Sequence, residues 1–236
     1  MLQKFVIPIT SKSVPIQLEA LNNQFNPVCV FDSNPQSNDK TLINCSQLIA
    51  IGSTQELVIK KEGDALHRLQ QFIDDSSGWL FGYLSYDLKN EIEALDSSND
   101  DELEFPALHF FSPLLVVERM NDNLTVHFDD LHIQQEEVET IIKKITTPLS
   151  FAIDKNSRIV VQSKISKTQY MEAVNHLQQH IRKGDIYEVN FCQEFFAKNA
   201  DMDTVGIYQK LNNISQAPFA AYGNFGDHQL ICSSPE

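Results

Sequence analysis

The sequence predicts an α+β fold built from two stacked, largely antiparallel sheets with helices on the outside. Strands that pair locally across short turns, and helices that separate such pairs without regular βαβ alternation, lead to this class. No run of 18 apolar residues occurs, and 42% hydrophobic with 21% charged residues is the balance of a globular chain. A membrane-spanning helix and bulk disorder are both excluded. A chain of 236 residues can bury about 70–75% of its unfolded surface, enough for a substantial core.

Leu2–Ile9 reads as the first strand and Val14–Phe25 as a helix, with Pro15 near the first turn, where a missing N–H costs little. Val28–Phe31 is a short apolar strand running into the turn-forming cluster Asp32-Ser33-Asn34-Pro35, and Gln36–Lys40 is loop. Strands are expected around Gln47–Ile51 and Leu57–Lys60. Asp64–Ile73 carries Ala65, Leu66, Leu69, Phe72 and Ile73 at helical spacing. Trp79–Leu84 is an aromatic strand in which Gly82 marks a bulge or a close backbone approach. Leu108–Met120 and Leu124–Phe128, joined by Asn121-Asp122-Asn123, form an antiparallel hairpin, and Ile133–Ile145 a charged helix.

A linker over residues 148–156 separates an N-terminal region, 1–148, from a second region, 157–236, whose first strand opens at Arg158–Gln162. Ser166 and Gln169 have the spacing of a capping box. Met171, Val174, Leu177 and Ile181 continue as one apolar stripe, assigned to core, until Lys183-Gly184 ends the helix. Ile186–Ala197 alternates as a long strand, Thr204–Leu211 makes a short helix, and Phe219–Phe225 with Gln229–Cys232 closes a hairpin around Gly226-Asp227.

Eighteen Lys and Arg against 32 Asp and Glu leave a net charge of −14, with arginine only at 68, 119, 158 and 182. Such a chain repels polyanions, which argues against nucleic acid and anionic membrane as partners. Cys29, Cys45, Cys192 and Cys232 show no C-x-x-C and read as buried free thiols, and the start MLQKFVIPIT lacks the features of a signal peptide, so a cytoplasmic location is expected. The acidic stretch Asp96–Glu104 lacks the glycine and spacing of a calcium loop and is read as a solvated insertion. His176 and His180 have a zinc-ligand spacing, but no Glu follows His176 and both lie opposite the apolar stripe, so they face solvent. No glycine-rich phosphate loop is present.

Three segments are more specific. Gly184-Asp185-Ile186-Tyr187-Glu188-Val189-Asn190-Phe191, directly after an amphipathic helix, resembles the G-D-x-[FY]-Q-V-x-[LF] segment of the chorismate-utilising enzymes. Ala217-Pro218-Phe219-Ala220-Ala221-Tyr222 is similar to their S-P-[YF] stretch and Ser233-Ser234-Pro235-Glu236 to their S-S-P-E, in the same order and spacing. Val30-Phe31-Asp32-Ser33 and Gly82-Tyr83-Leu84-Ser85-Tyr86-Asp87 are similar to the family's L-L-[ED]-S and G-Y-[LF]-x-Y-[DE], so the resemblance covers essentially the whole chain. Within the family, Tyr187-x-Val189-Asn190 looks more like the aminodeoxychorismate synthases than the anthranilate synthases. Family members continue for about as many residues again, so the resemblance implies a part of a longer enzyme that is inactive by itself.

The resemblance further implies chorismate as substrate, ammonia from a glutamine amidotransferase subunit, and Mg²⁺ held by residues beyond 236. It gives Glu236 the role of general acid toward the departing hydroxyl, against the competing reading of an exposed chain end. Glu188 stands where most aminating members have glutamine and the isochorismate synthases have lysine. A carboxylate there would hold ammonium or take its proton, or would be an ordinary strand residue facing the cleft, with Asn190 two positions on along the same face. Phe31, Ser33, Pro218 and Phe219 match positions that line a tryptophan pocket in the family, with plain core packing as the alternative.

Overall fold

The computed structural model describes residues 2–8, 16–34, 46–61, 63–96, 99–120, 123–147 and 159–234. The chain divides into two units, Met1–Phe151 with Thr204–Glu236, and Ala152–Asp203. The elements run in chain order as β1 (Leu2–Pro8), α1 (Leu18–Asn22), β2 (Val28–Asp32), β3 (Gln47–Ile59), α2 (Ala65–Asp75), β4 (Phe81–Leu84) and, after one 3₁₀ turn, α3 (Lys89–Ile92). Next come β5 (Leu108–Met120), β6 (Asn123–Asp129) and α4 (Gln135–Thr146). The second unit contributes β7 (Gln162–Ser163), α5 (Lys167–Lys183) and β8 (Phe195–Phe196), and the chain returns to the first with α6 (Thr204–Ser215), β9 (Phe219–Phe225) and β10 (His228–Ser234).

Among the described residues of the first unit, eight strands form one antiparallel sheet in the order β1-β6-β5-β3-β2-β9-β10, with β4 also paired to β5. The α+β class with antiparallel sheets and helices is therefore as expected, including the β5–β6 and β9–β10 hairpins. The region 157–236 is shared between the two units because β9 hydrogen-bonds to β2, pairing Asp32 with Ala220 and Val28 with Asn224.

Strand β3 differs from expectation in being one element of 13 residues, where two were read. Gly52 takes φ +62 and the register against β5 shifts between Ser53 and Gln55. The break in the apolar pattern is a bulge inside a strand, a conformation glycine accepts without a Cβ penalty. Gly82 shows the close approach anticipated for it, since a Cβ there would stand 2.1 Å from the carbonyl oxygen of His109 on β5.

One face of the sheet carries the main core, where Val28, Val30, Ile49, Ile51, Leu115, Val117 and Val126 meet Leu21 of α1 and Val138, Ile142 and Ile145 of α4. Helix α4 buries Val138, Ile141, Ile142 and Ile145, the i, i+3, i+4, i+7 stripe of an amphipathic helix. The opposite face buries Cys29, Ala50, Phe81, Phe111, Val116 and Phe225. Of the described cysteines only Cys29 is buried; Cys192 and Cys232 are exposed, correcting the expectation for them, and Cys45 lies outside the described residues.

In the second unit α5 has the expected ends. Ser166 and Gln169 form a reciprocal capping box and Gly184 closes the helix at φ +82. The assignment of its stripe to core is corrected, because no residue of α5 is buried and Met171 and Ile181 are 49% and 39% exposed. The strand expected over Ile186–Ala197 is reduced to Phe195–Phe196, paired with Gln162–Ser163. Alternation alone cannot make a strand. Its backbone needs a partner edge, and among the described residues β7 offers two residues of one.

Candidate functional site

The pairing of β2 with β9 brings two sequence-distant segments to one end of the sheet. Phe31 faces Ala221 and Asp32 faces Ala220, so Ser33 on one strand and Pro218-Phe219 on the other lie just past the last pair. Antiparallel neighbours share a sheet face, and Ala221 in turn faces Cys232 on β10, so Phe31, Ala221 and Cys232 form one row. The structure thus groups all four residues of the expected tryptophan pocket at the β2–β9 end, with Phe219 61% exposed and Phe31 38% exposed. The backbone N–H of Ser33 donates to Ser46 O at 3.1 Å.

A cleft of about 120 Å³ opens on the same face, bounded by Phe31, Tyr83, Gly223, Phe225 and Cys232 among others. Of the four expected residues Phe31 alone lines it. Its walls are aromatic: Phe31 lies 6.0 Å from Phe81, and Tyr83 meets Phe225 edge-on at 4.9 Å between ring centroids. Gly223 keeps the floor open, because a Cβ there would stand 2.7 Å from the Phe225 ring. The Tyr83 hydroxyl is buried without a hydrogen-bond partner among the described residues, and burial pushes its pKa up to about 12. An uncharged donor in an aromatic cleft suits a flat, apolar ligand carrying one acceptor.

Behind Ser33 lies a polar network that the sequence did not reveal. The Asp32 carboxylate accepts from the Tyr208 hydroxyl, from Gln47 Nε2 at 2.8 Å and from Asn212 Nδ2 at 3.3 Å. Burial raises the Asp32 pKa, opposed by the Tyr208 and Gln47 hydrogen bonds and by the charge of Arg119. Asn34 Nδ2 donates to Asn212 Oδ1 at 2.5 Å and to the Ala217 carbonyl at 2.9 Å. Asp32 and Asn34 therefore fasten α6 and the segment leading into Pro218 to the end of β2. Only their turn-forming character was legible, since apart from Gln47 the partners lie 176 to 183 residues away.

Glu188 belongs to the second unit and is exposed in an irregular stretch, which corrects its placement on a strand facing a cleft. Asn190 is likewise exposed with no regular strand around it. Tyr170 of α5 stacks on Phe191 at 5.3 Å between centroids, which holds this stretch to the helix. Glu236 lies outside the described residues, while Ser233 and Ser234 complete β10 and Ser233 Oγ is 2.6 Å from Ser215 Oγ. His180 Nδ1 is 2.7 Å from Asp185 Oδ2 on the partly exposed side of α5. Among the described residues no three His, Cys, Asp or Glu side chains converge to hold a metal ion; the ligands of the Mg²⁺ that the resemblance implies are expected beyond residue 236. Among them, too, no helix is long and apolar enough to cross a membrane.

The chain is 28% identical over 239 residues to anthranilate synthase component 1 of Acetivibrio thermocellus, covering 89% of this chain and 46% of the relative. It is 24% identical over 200 residues to aminodeoxychorismate synthase component 1 of Bacillus subtilis, covering 75% and 42%. Its fold matches the crystal structure of anthranilate synthase component I from Streptococcus pneumoniae with a TM-score of 0.66 at 20% identity, over 86% of this chain and 52% of that one. The chain spans about half the length of the relatives it matches. Residues 25–236 match the family described as chorismate binding enzyme, and with the fold above this places the chain in the chorismate-binding enzyme family.

Proposed function

We propose that this chain supplies the N-terminal half of an enzyme that aminates chorismate with ammonia to 4-amino-4-deoxychorismate, on the route to para-aminobenzoate and folate. The observation that carries this choice is the Tyr187-x-Val189-Asn190 pattern, supported by relatives such as the aminodeoxychorismate synthase component 1 of Bacillus subtilis. Chorismate is a dianion, and exchanging its C4 hydroxyl for an amine requires a proton on the departing oxygen, which leaves as water. The proposed donor is the Glu236 carboxyl, with ammonia delivered by a glutamine amidotransferase subunit. A chain of net charge −14 must gather positive charge locally to hold two substrate carboxylates, and Mg²⁺ is the proposed source in the whole enzyme. The β2–β9 end with Phe31, Ser33, Pro218 and Phe219 is the proposed place of a bound tryptophan, whose indole would lie against the aromatic rings.

A second reading, anthranilate synthase, is favoured by the 28% identity to the Acetivibrio thermocellus relative. Supplying the completed enzyme with chorismate, ammonium and Mg²⁺ and identifying the product separates the two. Aminodeoxychorismate, converted by an added lyase to para-aminobenzoate, supports the first reading; anthranilate replaces it with the second.

A further inference from the structure

Helix α5 presents two histidines that the proposed amination does not use. His176 and His180 stand four residues apart, so they are neighbours on one face, and their rings lie 4.6 Å apart between centroids at 79°. His176 is exposed and His180 partly so, which leaves both rings room to turn. Just beyond them the helix closes at Gly184 with φ +82, and that left-handed turn brings Asp185 back onto the last turn. Its backbone N–H donates to the His180 carbonyl at 3.0 Å, and its carboxylate Oδ2 stands 2.7 Å from His180 Nδ1. Asp185 is therefore tied to His180 twice, once through the backbone and once through the ring.

A carboxylate only accepts, so in the neutral ring of His180 Nδ1 carries the proton and Nε2 keeps its lone pair. A carboxylate behind one ring nitrogen and a free lone pair on the other is the usual arrangement of a metal-ligating histidine. The i, i+4 spacing on a helix is that of a zinc-binding pair, and the C-terminal turn of a helix favours a cation. Lys183, three residues after His180, brings an opposing charge, but on a flexible stem that can swing away. We infer that His176 and His180 bind one borderline divalent transition ion, Zn²⁺ or a close analogue, with Asp185 positioning the His180 ring. Among the described residues no third His, Cys, Asp or Glu converges on the pair, so the ion keeps positions open to water and exchanges with solvent. It bridges one turn of α5 and clips the end of the helix from which Gly184–Phe191 departs. Imidazole suits Zn²⁺, whereas Mg²⁺ prefers oxygen donors, so the site is separate from the Mg²⁺ of the proposed reaction and does not depend on that reading.

Isothermal titration of Zn²⁺ into the metal-free 236-residue chain, with histidine side-chain NMR, tests the site. One equivalent should bind, shift the ring nitrogens of His176 and His180, and slow amide exchange over residues 177–184. The rings of His109 and His127, already paired with Glu56 and Glu118, should not respond. His176→Ala and His180→Ala should each remove the binding, and because alanine is the best helix former α5 survives both changes. Asp185→Ala should weaken binding about 10–100-fold, the loss typical of a carboxylate that orients a ligand. Excess Mg²⁺ should not compete. Absence of binding at about 0.1 mM Zn²⁺, or binding that persists in the two alanine variants, would overturn the site. So would binding lost on Cys192→Ser or Cys232→Ser, the two exposed thiols. An affinity unchanged in Asp185→Ala would overturn the positioning role.

Discussion

The hydroxyl of Tyr208 on α6 donates to the carboxylate of Asp32 at the end of β2, across 176 residues of sequence. Burial raises the pKa of both groups, and the Asp32 charge adds to the rise at Tyr208. Tyr208→Phe should therefore leave a largely buried carboxylate short of its strongest donor, costing about 1–3 kcal/mol at neutral pH. Urea unfolding at pH 7 measures the loss.

The same carboxylate predicts a pH dependence of definite sign. A folded-state pKa above the unfolded value means that the folded state binds the proton more tightly. The Asp32 contribution is complete below the ordinary aspartate range and is lost as pH rises through the elevated folded value. Asp32→Asn should flatten this part of the stability profile, and a difference curve without slope above pH 4 would contradict the assignment.

Glu91 on α3 caps the start of α2 from outside, its Oε1 accepting from the backbone N–H of Gly63 at 2.5 Å and of Ala65 at 3.0 Å, and its Oε2 from Leu66 at 3.2 Å. Burial pushes its pKa up, but the three backbone hydrogen bonds together hold it below the usual glutamate value. Its contribution is present above the unfolded pKa and is lost as pH falls through the depressed one. Glu91→Ala should cost about 0.5–1 kcal/mol near neutrality, as for other lost caps, with the difference vanishing in acid.

Gly82→Ala tests the contact of β4 with β5. The new methyl would meet the His109 carbonyl oxygen and the backbone of Phe110, so β4 must shift or detach. A loss of about 1–3 kcal/mol is expected, together with faster exchange of the amides in Phe81–Leu84.

Under the proposed function the chain alone should not convert chorismate with ammonium and Mg²⁺, since the resemblance places the metal ligands beyond residue 236 and the chain spans about half the length of the relatives it matches. In the completed enzyme Glu236→Gln should lower kcat by about 10²–10⁴, the usual loss for a general acid, with chorismate binding retained. Chromatography of the reaction mixture and stopped-flow binding check the two statements.

What could be read in advance was local. The ends of α5 are written in Ser166, Gln169 and Gly184, and the β5–β6 and β9–β10 hairpins in the turn residues between them, because caps and tight turns depend on neighbours a few positions away. The β2–β9 pairing was not read in advance, and the grouping of Ser33 with Pro218 and Phe219 entered only through a resemblance, since no local signal specifies a partner nearly two hundred residues away. Two of the errors share one cause. The Met171–Ile181 stripe and the Ile186–Ala197 alternation both describe surfaces suited to burial, and periodicity says nothing about where the covering surface is encoded.

Because β2 lies between β3 and β9, a strand made early in synthesis keeps one backbone edge open until a strand made late arrives. At translation rates of about 5–20 residues per second this interval lasts about 10–40 s. During it the unpaired edge of Val28–Asp32, apolar on both faces at Val28, Cys29 and Val30, is exposed to other chains. The nascent protein therefore passes through a window of aggregation risk that ends only when Phe219–Phe225 leaves the ribosome, and a chaperone that shields strand edges would act before that point.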